Sequence, residues 1–526
     1  MDNQKRQNGS PGIKDCINPG FSIISFFKKN IPSIIALIIP LLMLTALRQS
    51  AFEAENSLDA YFHVQIADMG PSVYLTKFFP WTTLSVWSEH FSDKELLYHL
   101  FLTVIRSYQK YISLPLGSPF NFPAIFFTGM MIAAFVYSAN YFKVRNIIYY
   151  SLLLIFISPF FTDRILMLRP HVLAITIMLL ACPLIHSIKN YKDLGKVFIF
   201  AFFSSWAYSN PHFILLPITA FAITKFKHKP YLAVTILLAA IFGLLSGLTI
   251  HPQFPNSFLI WKIQCIDVIV NLFHTAPSYY DMPKELAPPS FLWIICNCAA
   301  FFFTIYGFII YKRSEKGNLS LSSPYTALGI CAALTTFSVF ISMRAMEYAL
   351  PFSLIFLGAV KFHHYSTTEH QNREQRKKYS FYLKILVVTL SFFFMIYEGE
   401  VIRKRAVIKP LSAFSEFMQS SNIPPGTVIG NIVWSDFPLL FYSAPQYRFL
   451  TGIEPMFSFY SDSETMNKLE LFRRGKINLQ ANELAELLNC KFIFVTKRNN
   501  FYLHLIKLKY DALYNGDDGI LFKLKK

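Results

Sequence analysis

The chain is poor in charge for its length. Its 526 residues are 15% charged and 53% hydrophobic, and they include 55 Phe. An average soluble domain carries about 25% charged residues. This shortage of charge excludes an ordinary soluble protein and predicts one whose apolar segments cross a membrane several times.

Several motifs of soluble enzymes are lacking as well. The sequence contains no Walker A motif, no GxGxxG and no HExxH, which excludes the phosphate-binding loops and the zinc-protease helix that those motifs form. The 7 cysteines are odd in number, and Cys296 and Cys298 are too close together for a CxxC motif. From the cysteines we therefore infer no disulfide framework and no zinc site.

Acidic residues are the scarcer charge. The chain has 49 Lys and Arg against 31 Asp and Glu, a formal net charge of +18. Such a chain could bind nucleic acid, but much of the Lys and Arg lies in short loops between apolar segments, and membrane orientation accounts for that placement better. We therefore expect no nucleic acid partner. The basic residues within 1–30 predict a cytoplasmic N-terminal tail.

Residues 31–397 predict an α-helical polytopic membrane domain with about eleven transmembrane helices. The candidate spans are 31–47, 122–142, 146–161, 165–187, 196–209, 211–224, 230–250, 290–311, 322–343, 346–361 and 381–397. Every loop that this count places inside is basic, which supports it. Residues 196–224 could instead form one broken hairpin, and 96–106 is apolar but too short to cross, which favours an interfacial or re-entrant segment.

The same count places loop 48–121 and the C-terminal part of the chain outside. Phe79, Trp81 and Trp87 in this loop are typical of anchors at the membrane interface. Residues 398–526 predict a small extracytoplasmic α/β domain. Within it, strands are predicted at 427–431, 491–496 and 519–523, and an amphipathic helix at 479–488.

Ionisable and polar residues collect at the outward ends of the spans. They are Asp59, His63, Asp163, Arg164, Arg169, His171, Asn210, His212, His251, Arg344 and Glu347. Such residues are costly at membrane depth and usually face a cavity or a partner. The plain alternatives are an N-cap role for Asp59 with a surface His63, and a simple helical pair between Arg344 and Glu347. The clustering on one side instead favours a polar cavity that opens outward.

The chemistry of these residues suits a phosphate beside a membrane. Asp59 and His63 lie one helical turn apart, and a carboxylate and an imidazole can act as acid and base or hold a metal or phosphate. Arg169 and His171 flank Pro170 inside an apolar run. Arginine binds phosphate through its forked donors, and a phosphate at this depth implies a lipid phosphate, because a soluble nucleotide would not need that position.

The chain resembles the C-type (GT-C) membrane glycosyltransferases, a superfamily that includes protein O-mannosyltransferases, the lipid A aminoarabinose transferase and oligosaccharyltransferase catalytic subunits. The resemblance is carried by Asp59-Ala-Tyr-Phe-His63 after the first span, Phe79-Pro-Trp81 and Asp93 in the first external loop, and Asp163-Arg164 in the second. The chain departs from the mannosylating branch at Ala60, where an Asp-Glu pair would require Glu. Trp434-Ser-Asp436 only partly matches the Trp-Trp-Asp signature of oligosaccharyltransferases.

This resemblance implies an enzyme of the inner (plasma) membrane that takes a sugar from a polyprenyl-phosphate-linked donor. The acceptor, a glycan, lipid or protein on the periplasmic face, stays open, as does a divalent metal, which the sequence does not require. The resemblance makes Asp59 the general base or orienting group, with His63 and Asp163 as further catalytic candidates. The lipid-phosphate donor would be bound by Arg164, Arg169, His171, His212, His251 and Arg344, with Glu347 in an orienting role beside Arg344.

Two other functions remain open from the sequence. A transporter or lipid flippase would use the outward-facing polar cavity as a binding site, and it would be expected to show inverted repeats and polar residues near the bilayer midplane. The sequence shows no such repeat, and its polar residues collect at one face. An assembly factor with an outward interaction domain is the third hypothesis.

The topology can be tested with reporters. We predict that a reporter fused after Lys526 is active only when it functions outside the cytoplasm, because all the basic short loops fall on the other side. Alkaline phosphatase and a cytoplasm-only fluorescent protein, fused at the same residue, would be compared at equal expression. Fluorescence from this fusion without phosphatase activity would contradict the predicted orientation.

Overall fold

The computed structural model describes residues 23–50, 55, 57–112, 118–267, 270, 284–314, 320–367, 385, 389, 392–393, 395–397, 400, 408–498 and 500–524. Most of the predicted tail 1–30 and of the predicted span 381–397 therefore lies outside the described residues. The described chain is mostly helical, with one small sheet near its C-terminal end. This confirms the broad fold class, a helical protein that ends in an α/β part.

The helices of the N-terminal part are given in chain order. They are α1 (Ile23–Ser50), α2 (Leu58–Met69), α3 (Pro71–Tyr74), α4 (Leu96–Ile112), α5 (Asn121–Tyr141), α6 (Ile147–Phe156), α7 (Pro159–Leu166), α8 (His171–Ser187), α9 (Leu194–Ala207), α10 (Leu215–Phe226), α11 (Pro230–Ile250), α12 (Asn256–Lys262), α13 (Phe291–Cys296), α14 (Ala299–Ser314), α15 (Pro324–Ser338) and α16 (Met346–Thr367). Most predicted spans thus correspond to helices, but several of these are short.

By length and apolar composition, four described helices could cross a membrane: residues 30–49 of α1, then α5, α11 and the helical stretch 343–364. A fifth is obtained if α6 and α7, which meet at an angle of 87°, count as one span. The count of eleven is therefore not established by the described helices. The difference arises because many apolar segments are interrupted by Pro or polar residues, so that each helix falls short of the ~20 residues a span needs.

The break between α6 and α7 has a local cause. Pro159 begins α7, and the Ser158 side chain caps it by accepting a hydrogen bond from the Phe161 N–H at 3.2 Å. Ser158 also donates to Asn297 Oδ1 at 2.6 Å, which ties the corner to the end of α13. The corner turns α7 across the bundle, so that its arginine points into the protein.

The C-terminal part holds one sheet of mixed direction. Its strands are β1 (Val428–Gly430), β2 (Arg448–Phe449), β3 (Phe492–Thr496), β4 (Asp511–Asn515) and β5 (Gly519–Lys523), in the order β2-β1-β3-β5-β4. Strand β1 pairs in parallel with β2 and β3, whereas β5 pairs antiparallel with β3 and β4. Its helices are α17 (Ser412–Ser420), α18 (Phe437–Ser443), α19 (Pro455–Ser461), α20 (Ser463–Arg473), α21 (Ala481–Leu488) and α22 (Phe501–Lys507).

The three predicted strands are confirmed as β1, β3 and β5, and the predicted amphipathic helix as α21. Strands β3 and β5 were recognisable from the sequence because they are apolar runs that are almost wholly buried. The sequence analysis missed β2, which has only two residues, and β4, a mostly exposed edge strand without a buried face. Neither of these strands carries a periodic signal.

Aromatic residues of the first loop join the two parts of the chain. Phe79 and Trp87 are 0% and 1% exposed. The Phe79 ring lies 5.4 Å from that of Phe441, and the Trp87 ring lies 5.2 Å from that of Phe457, both in the C-terminal part. The Trp81 indole also donates to the Pro445 carbonyl at 2.8 Å. The prediction that these aromatic residues are membrane-interface anchors is therefore wrong, because they form the apolar contact between loop and domain.

Glycines let α9 and α11 pack closely, as their small-residue spacing indicates. A Cβ at Gly243 would lie 2.4 Å from the Phe198 carbonyl oxygen, which belongs to the backbone of the facing helix. Gly243 lies on α11. By contrast, a Cβ at Gly195, which lies on α9, would meet nothing within 4 Å. These two glycines therefore form a matched pair for a packing test.

We predict that Gly243→Ala lowers the melting temperature of the purified protein, because the added methyl forces the helices apart at a cost of about 1–3 kcal/mol. Gly195→Ala should leave it unchanged or raise it slightly, since alanine is the better helix former by roughly 0.5–1 kcal/mol. Thermal unfolding in detergent is the measurement. Equal melting temperatures for the two variants would contradict close α9–α11 packing.

Candidate functional site

Helix α2 carries Asp59 in its first turn. The helix begins after Ser57 and ends at Gly70, whose φ of 62° suits glycine and whose N–H donates to the Ile66 carbonyl. Asp59 is not the N-cap residue, so the plain interpretation of this aspartate is wrong. Its Oδ2 instead accepts a short hydrogen bond from Nη2 of Arg169.

Arg169 bridges two carboxylates. It lies in the turn between α7 and α8, ahead of Pro170, and its second nitrogen, Nη1, donates to Glu285 Oε1 at 3.0 Å. The two partners lie 110 and 116 residues away along the chain. The side chains of Asp59, Arg169 and Glu285 are 20%, 16% and 26% exposed, so this part of the site reaches solvent.

A second arginine, Arg164, connects Glu285 to a buried glutamate, Glu347. Nε of Arg164 donates to Glu347 Oε1 at 2.6 Å, and its Nη1 donates to Glu285 Oε1 at 3.3 Å. The side chains of Arg164 and Glu347 are 2% and 0% exposed. Because neither charge reaches water, each depends on the other for compensation. This buried pair fixes α7 against the start of α16.

Arg344 makes the weakest contacts of the three arginines at this site. Its Nε lies 3.8 Å from Glu347 Oε1, and among the described residues this nitrogen has no hydrogen-bond partner. Its guanidinium lies 6.0 Å from the centre of the Tyr208 ring, and its side chain is 23% exposed. The predicted Arg344–Glu347 pair is therefore secondary, because Glu347 is held by Arg164.

Charges balance in this ion-pair network, which comprises Asp59, Glu285 and Glu347 with Arg164, Arg169 and Arg344. Burial of Glu285 opposes its ionisation, but Arg169, Arg164 and Arg344 outweigh burial and lower its pKa to about 2. The carboxylate is thus charged at neutral pH. Glu285 was missed by the sequence analysis because no periodic pattern or flanking motif marks it.

Other predicted site residues lie beside the network rather than in it. His171 donates from Nε2 to the Arg164 carbonyl at 2.9 Å, and so holds the end of α7. Asp163 is half-buried and precedes Arg164 on the same helix, while the ion pairs run through Arg164. His212 packs its ring 4.9 Å from that of Phe213, and none of its described contacts reaches the network.

His63 belongs to a second cluster. Its Nδ1 lies 2.8 Å from Nε2 of His99, whose Nδ1 donates to the carboxylate of Asp93 at 2.8 Å. Burial, together with His99 and Lys94, lowers the pKa of His63 well below its usual range. His251 joins at the edge, donating from Nε2 to the Asp93 carbonyl at 3.2 Å. Asp59 and His63 thus serve two different clusters.

The described residues contain one group whose ligand atoms are spaced for a metal, namely His63, Glu95 and His99, with one atom of each within 4.8 Å of the others. All three side chains are buried. The sequence analysis named His63 but missed Glu95 and His99. Their spacing of four residues at the start of α4 was a usable signal, although the segment was interpreted only as interfacial.

The surroundings of Asp59 do not fit a divalent cation in the described structure. One oxygen of Asp59 and one of Glu285 are held by the two Nη atoms of Arg169, so the guanidinium lies where a cation between the two carboxylates would lie. A guanidinium between two carboxylates provides the positive charge that a cation would provide there. No step of the chemistry at Asp59 is therefore assigned to a metal.

A small pocket is bordered by Tyr208, whose ring Arg344 faces. Its cavity volume is about 20 Å³, which is room for about one water molecule. Hydroxyl, amide and aromatic groups line it together with Lys94, and they are Ser92, Ser205, Tyr208, Ser209, Trp261 and Gln264. Lys94 also pairs with Glu454 at 2.8 Å, so the C-terminal part closes one side of this region.

Asp436, in the partial Trp-Trp-Asp match, lies in the interior of the C-terminal part. Its carboxylate accepts hydrogen bonds from the Thr496 hydroxyl at 2.8 Å and the Thr496 N–H at 3.2 Å. Burial raises the pKa of Asp436 to about 6 against the effect of these bonds. Its contacts join α18 to β3, so its role in the described structure is to hold the domain together.

The whole chain is similar in fold to solved oligosaccharyltransferases. The archaeal oligosaccharyltransferase AglB from Archaeoglobus fulgidus, solved with an inhibitory peptide and a dolichol-phosphate, matches at a TM-score of 0.56 and 12% identity, over 95% of this chain and 75% of that chain. The apo form of the Archaeoglobus fulgidus oligosaccharyltransferase matches at 0.57 and 11% identity with the same coverage. No protein-family model and no curated protein matches the sequence.

These matches show that the chain has a fold similar to that of oligosaccharyltransferases, which agrees with the fold that the expected resemblance implies. An identity this low carries no residue roles from one protein to the other. The roles of the candidate residues therefore follow only from the geometry described above.

We predict that Glu347→Gln lowers stability by about 3 kcal/mol or more, because it leaves the buried Arg164 guanidinium without its nearest charge partner. The matched control is Glu470→Gln, whose partly exposed pairs with Arg473 and Arg474 should contribute no more than about 1 kcal/mol. Thermal unfolding of both variants in detergent is the measurement. A loss at Glu347 no larger than that at Glu470 would show that the buried pair does not hold the site.

Proposed function

We propose that this protein is a membrane glycosyltransferase that transfers a sugar from a polyprenyl-phosphate-linked donor to an acceptor at the outer, periplasmic face of the inner membrane. The proposal includes the predicted topology, with about eleven spans between 31 and 397 and residues 398–526 outside. The acceptor is a glycan, lipid or protein. The oligosaccharyltransferase solved with dolichol-phosphate and a peptide supports a lipid-linked donor and a separate acceptor.

The observation that carries the proposal is the ion-pair network in a chain of this fold. Residues from the first loop, the α7–α8 turn, the stretch before α13 and the start of α16 meet at one place. Charged groups that meet among apolar helices are expensive and indicate a functional site. A network that combines arginines for a phosphate with a solvent-reaching carboxylate for an acceptor suits transfer from a lipid phosphate.

Arg344 is the phosphate ligand that the geometry favours. It reaches solvent, and its Nε is without a hydrogen-bond partner among the described residues, so it can bind an anion without giving up a strong contact. Tyr208, whose ring Arg344 faces, belongs to a small pocket lined also by Ser, Gln and aromatic side chains, and these groups suit contacts with a sugar hydroxyl near this arginine.

Asp59 is the proposed base. In the described structure its carboxylate is bound to Arg169, which holds it in place but occupies one oxygen. Because the network is already neutral, an arriving phosphate adds negative charge that favours an exchange of partners. Arg169 can turn to the phosphate and release Asp59, which is 20% exposed. The buried Glu347 stays paired with Arg164.

The proposed reaction is attack by the acceptor on the donor sugar. The acceptor hydroxyl attacks the anomeric carbon of the sugar, and the bond from that carbon to the phosphate oxygen breaks. The leaving lipid phosphate keeps the bonding electrons and is stabilised by Arg344 and Arg169. The proton of the acceptor passes to Asp59. Asp163 remains the second acidic candidate, and His171, His212 and His251 are expected to act through packing of the surrounding helices.

We predict that Asp59→Asn lowers turnover by about 10²–10⁴ while the protein still folds, because asparagine keeps the shape but cannot take the proton. The matched control is Asp193→Asn, a loop aspartate that pairs with the largely exposed Lys196 on the predicted inner side, and it should keep normal turnover. The measurement is transfer of radiolabelled sugar from a polyprenyl-phosphate donor in membranes, at equal expression.

Arg344→Ala provides the contrasting result in the same assay. Loss of a charged hydrogen bond to phosphate, worth about 1.5–3 kcal/mol, should appear as a raised donor KM with turnover partly regained at high donor concentration. Near-normal turnover of Asp59→Asn would remove Asp59 as the base and leave Asp163 as the acidic candidate. Movement of intact lipid-linked sugar across vesicles without transfer would favour the transporter hypothesis.

A further inference from the structure

We propose that His63, Glu95 and His99 bind a divalent transition-metal ion of the zinc class, separate from the ion-pair network. This inference does not rest on the proposed sugar transfer, because it concerns ligand geometry alone. The three side chains come from α2, from the residue just before α4, and from α4 itself. One ligand atom of each lies within 4.8 Å of the others.

Asp93 prepares His99 to be a ligand. Its carboxylate oxygens lie 2.9 and 2.8 Å from Nδ1 of His99, and a carboxylate accepts at this contact, so the proton of the ring is on Nδ1. The lone pair of Nε2 is then directed at His63. A carboxylate that binds the far nitrogen of a histidine is the usual arrangement behind a metal-bound imidazole, because it fixes both tautomer and orientation.

The distances leave room for an ion after a small adjustment. Nδ1 of His63 and Nε2 of His99 are 2.8 Å apart, whereas two nitrogen ligands around a tetrahedral zinc are about 3.3 Å apart. An ion would replace this hydrogen bond, and His63 would then carry its proton on Nε2. Imidazole binds metal only when neutral, and this tautomer leaves the Nδ1 lone pair of His63 directed at the ion.

The charges around the cluster also favour a cation. Glu95 is 5% exposed, and among the described residues its carboxylate forms no ion pair. The ammonium of the neighbouring Lys94 is bound to Glu454 at 2.8 Å. A buried carboxylate outside an ion pair is costly, and Asp93 adds a second negative charge. A divalent ion would neutralise both and bond directly to Glu95.

The consequence of such an ion would be positional. It would join α2 to α4, and Asp59 lies one helical turn before His63 on α2. The ion would thus hold the helix that presents Asp59, without touching the ion-pair network. The prediction of no zinc site from the cysteines does not bear on this cluster, because no thiolate takes part in it.

The experiment measures metal content. The full-length protein is purified in detergent, loaded with ZnCl2, freed of excess ion by gel filtration and analysed by mass spectrometry for zinc. We expect one zinc per chain in the wild type and loss of most of it in His99→Ala and in Glu95→Gln. His228→Ala, an exposed histidine on the predicted inner side, is the matched control and should keep its zinc.

A second measurement guards against variants that fail to fold. Wild-type protein treated with EDTA should melt at a lower temperature, and ZnCl2 should restore it, since an ion that binds only the folded state stabilises it. Glu95→Gln should fold but show no such response. Zinc content that is equal in the wild type and Glu95→Gln, or a melting temperature that does not respond to EDTA and ZnCl2 in the wild type, would overturn the proposal.

Discussion

The buried ion pair between Arg164 and Glu347 is the contact on which the rest of the candidate site depends. Both side chains are almost fully removed from water, so separating them would leave a bare charge in the interior at a cost of several kcal/mol. The pair therefore sets the distance between α7 and α16. With that distance fixed, Arg169 in the turn after α7 and Arg344 before α16 lie close to Glu285 and Glu347. The solvent-reaching carboxylate of Asp59 is then held at the rim.

The C-terminal part of the chain adds a second constraint. Phe79 and Trp87 pack into it, and Lys94 pairs with Glu454, so the first loop is fixed between the helical bundle and the sheet. Helix α2 follows the same pattern, because the Tyr61 hydroxyl donates to the Ile408 carbonyl at 2.5 Å. The loop that carries Asp59 and the histidine cluster is therefore an ordered layer. Such order is what a site needs to hold a base and a phosphate in a productive geometry.

The two clusters divide the chemistry between them. The network around Arg164 combines arginines with carboxylates and suits an anionic substrate, whereas the cluster of His63, Glu95 and His99 combines neutral imidazoles with a carboxylate and suits a cation. They are connected through α2, since Asp59 and His63 are neighbouring turns of one helix. A metal at the second cluster would thus influence the first by position alone. This separation allows the two proposals to be tested independently.

Composition and charge pattern were sufficient to predict a helical membrane protein with an α/β end. The reason is that the shortage of charge and the apolar strands β3 and β5 are visible in short stretches of sequence. The resemblance to GT-C enzymes, based on the residues around Asp59 and Asp163, agrees with the observed fold. The sequence also named Asp59, Arg164, Arg169, Arg344 and Glu347 as one group, because charges near apolar segments are conspicuous. It could not show that Glu347 lies closer to Arg164 than to Arg344, that Glu285 joins them, or that His63 contacts His99. Partners up to 183 residues apart are chosen by the packing of helices, and only the tertiary structure decides which charges share a buried space.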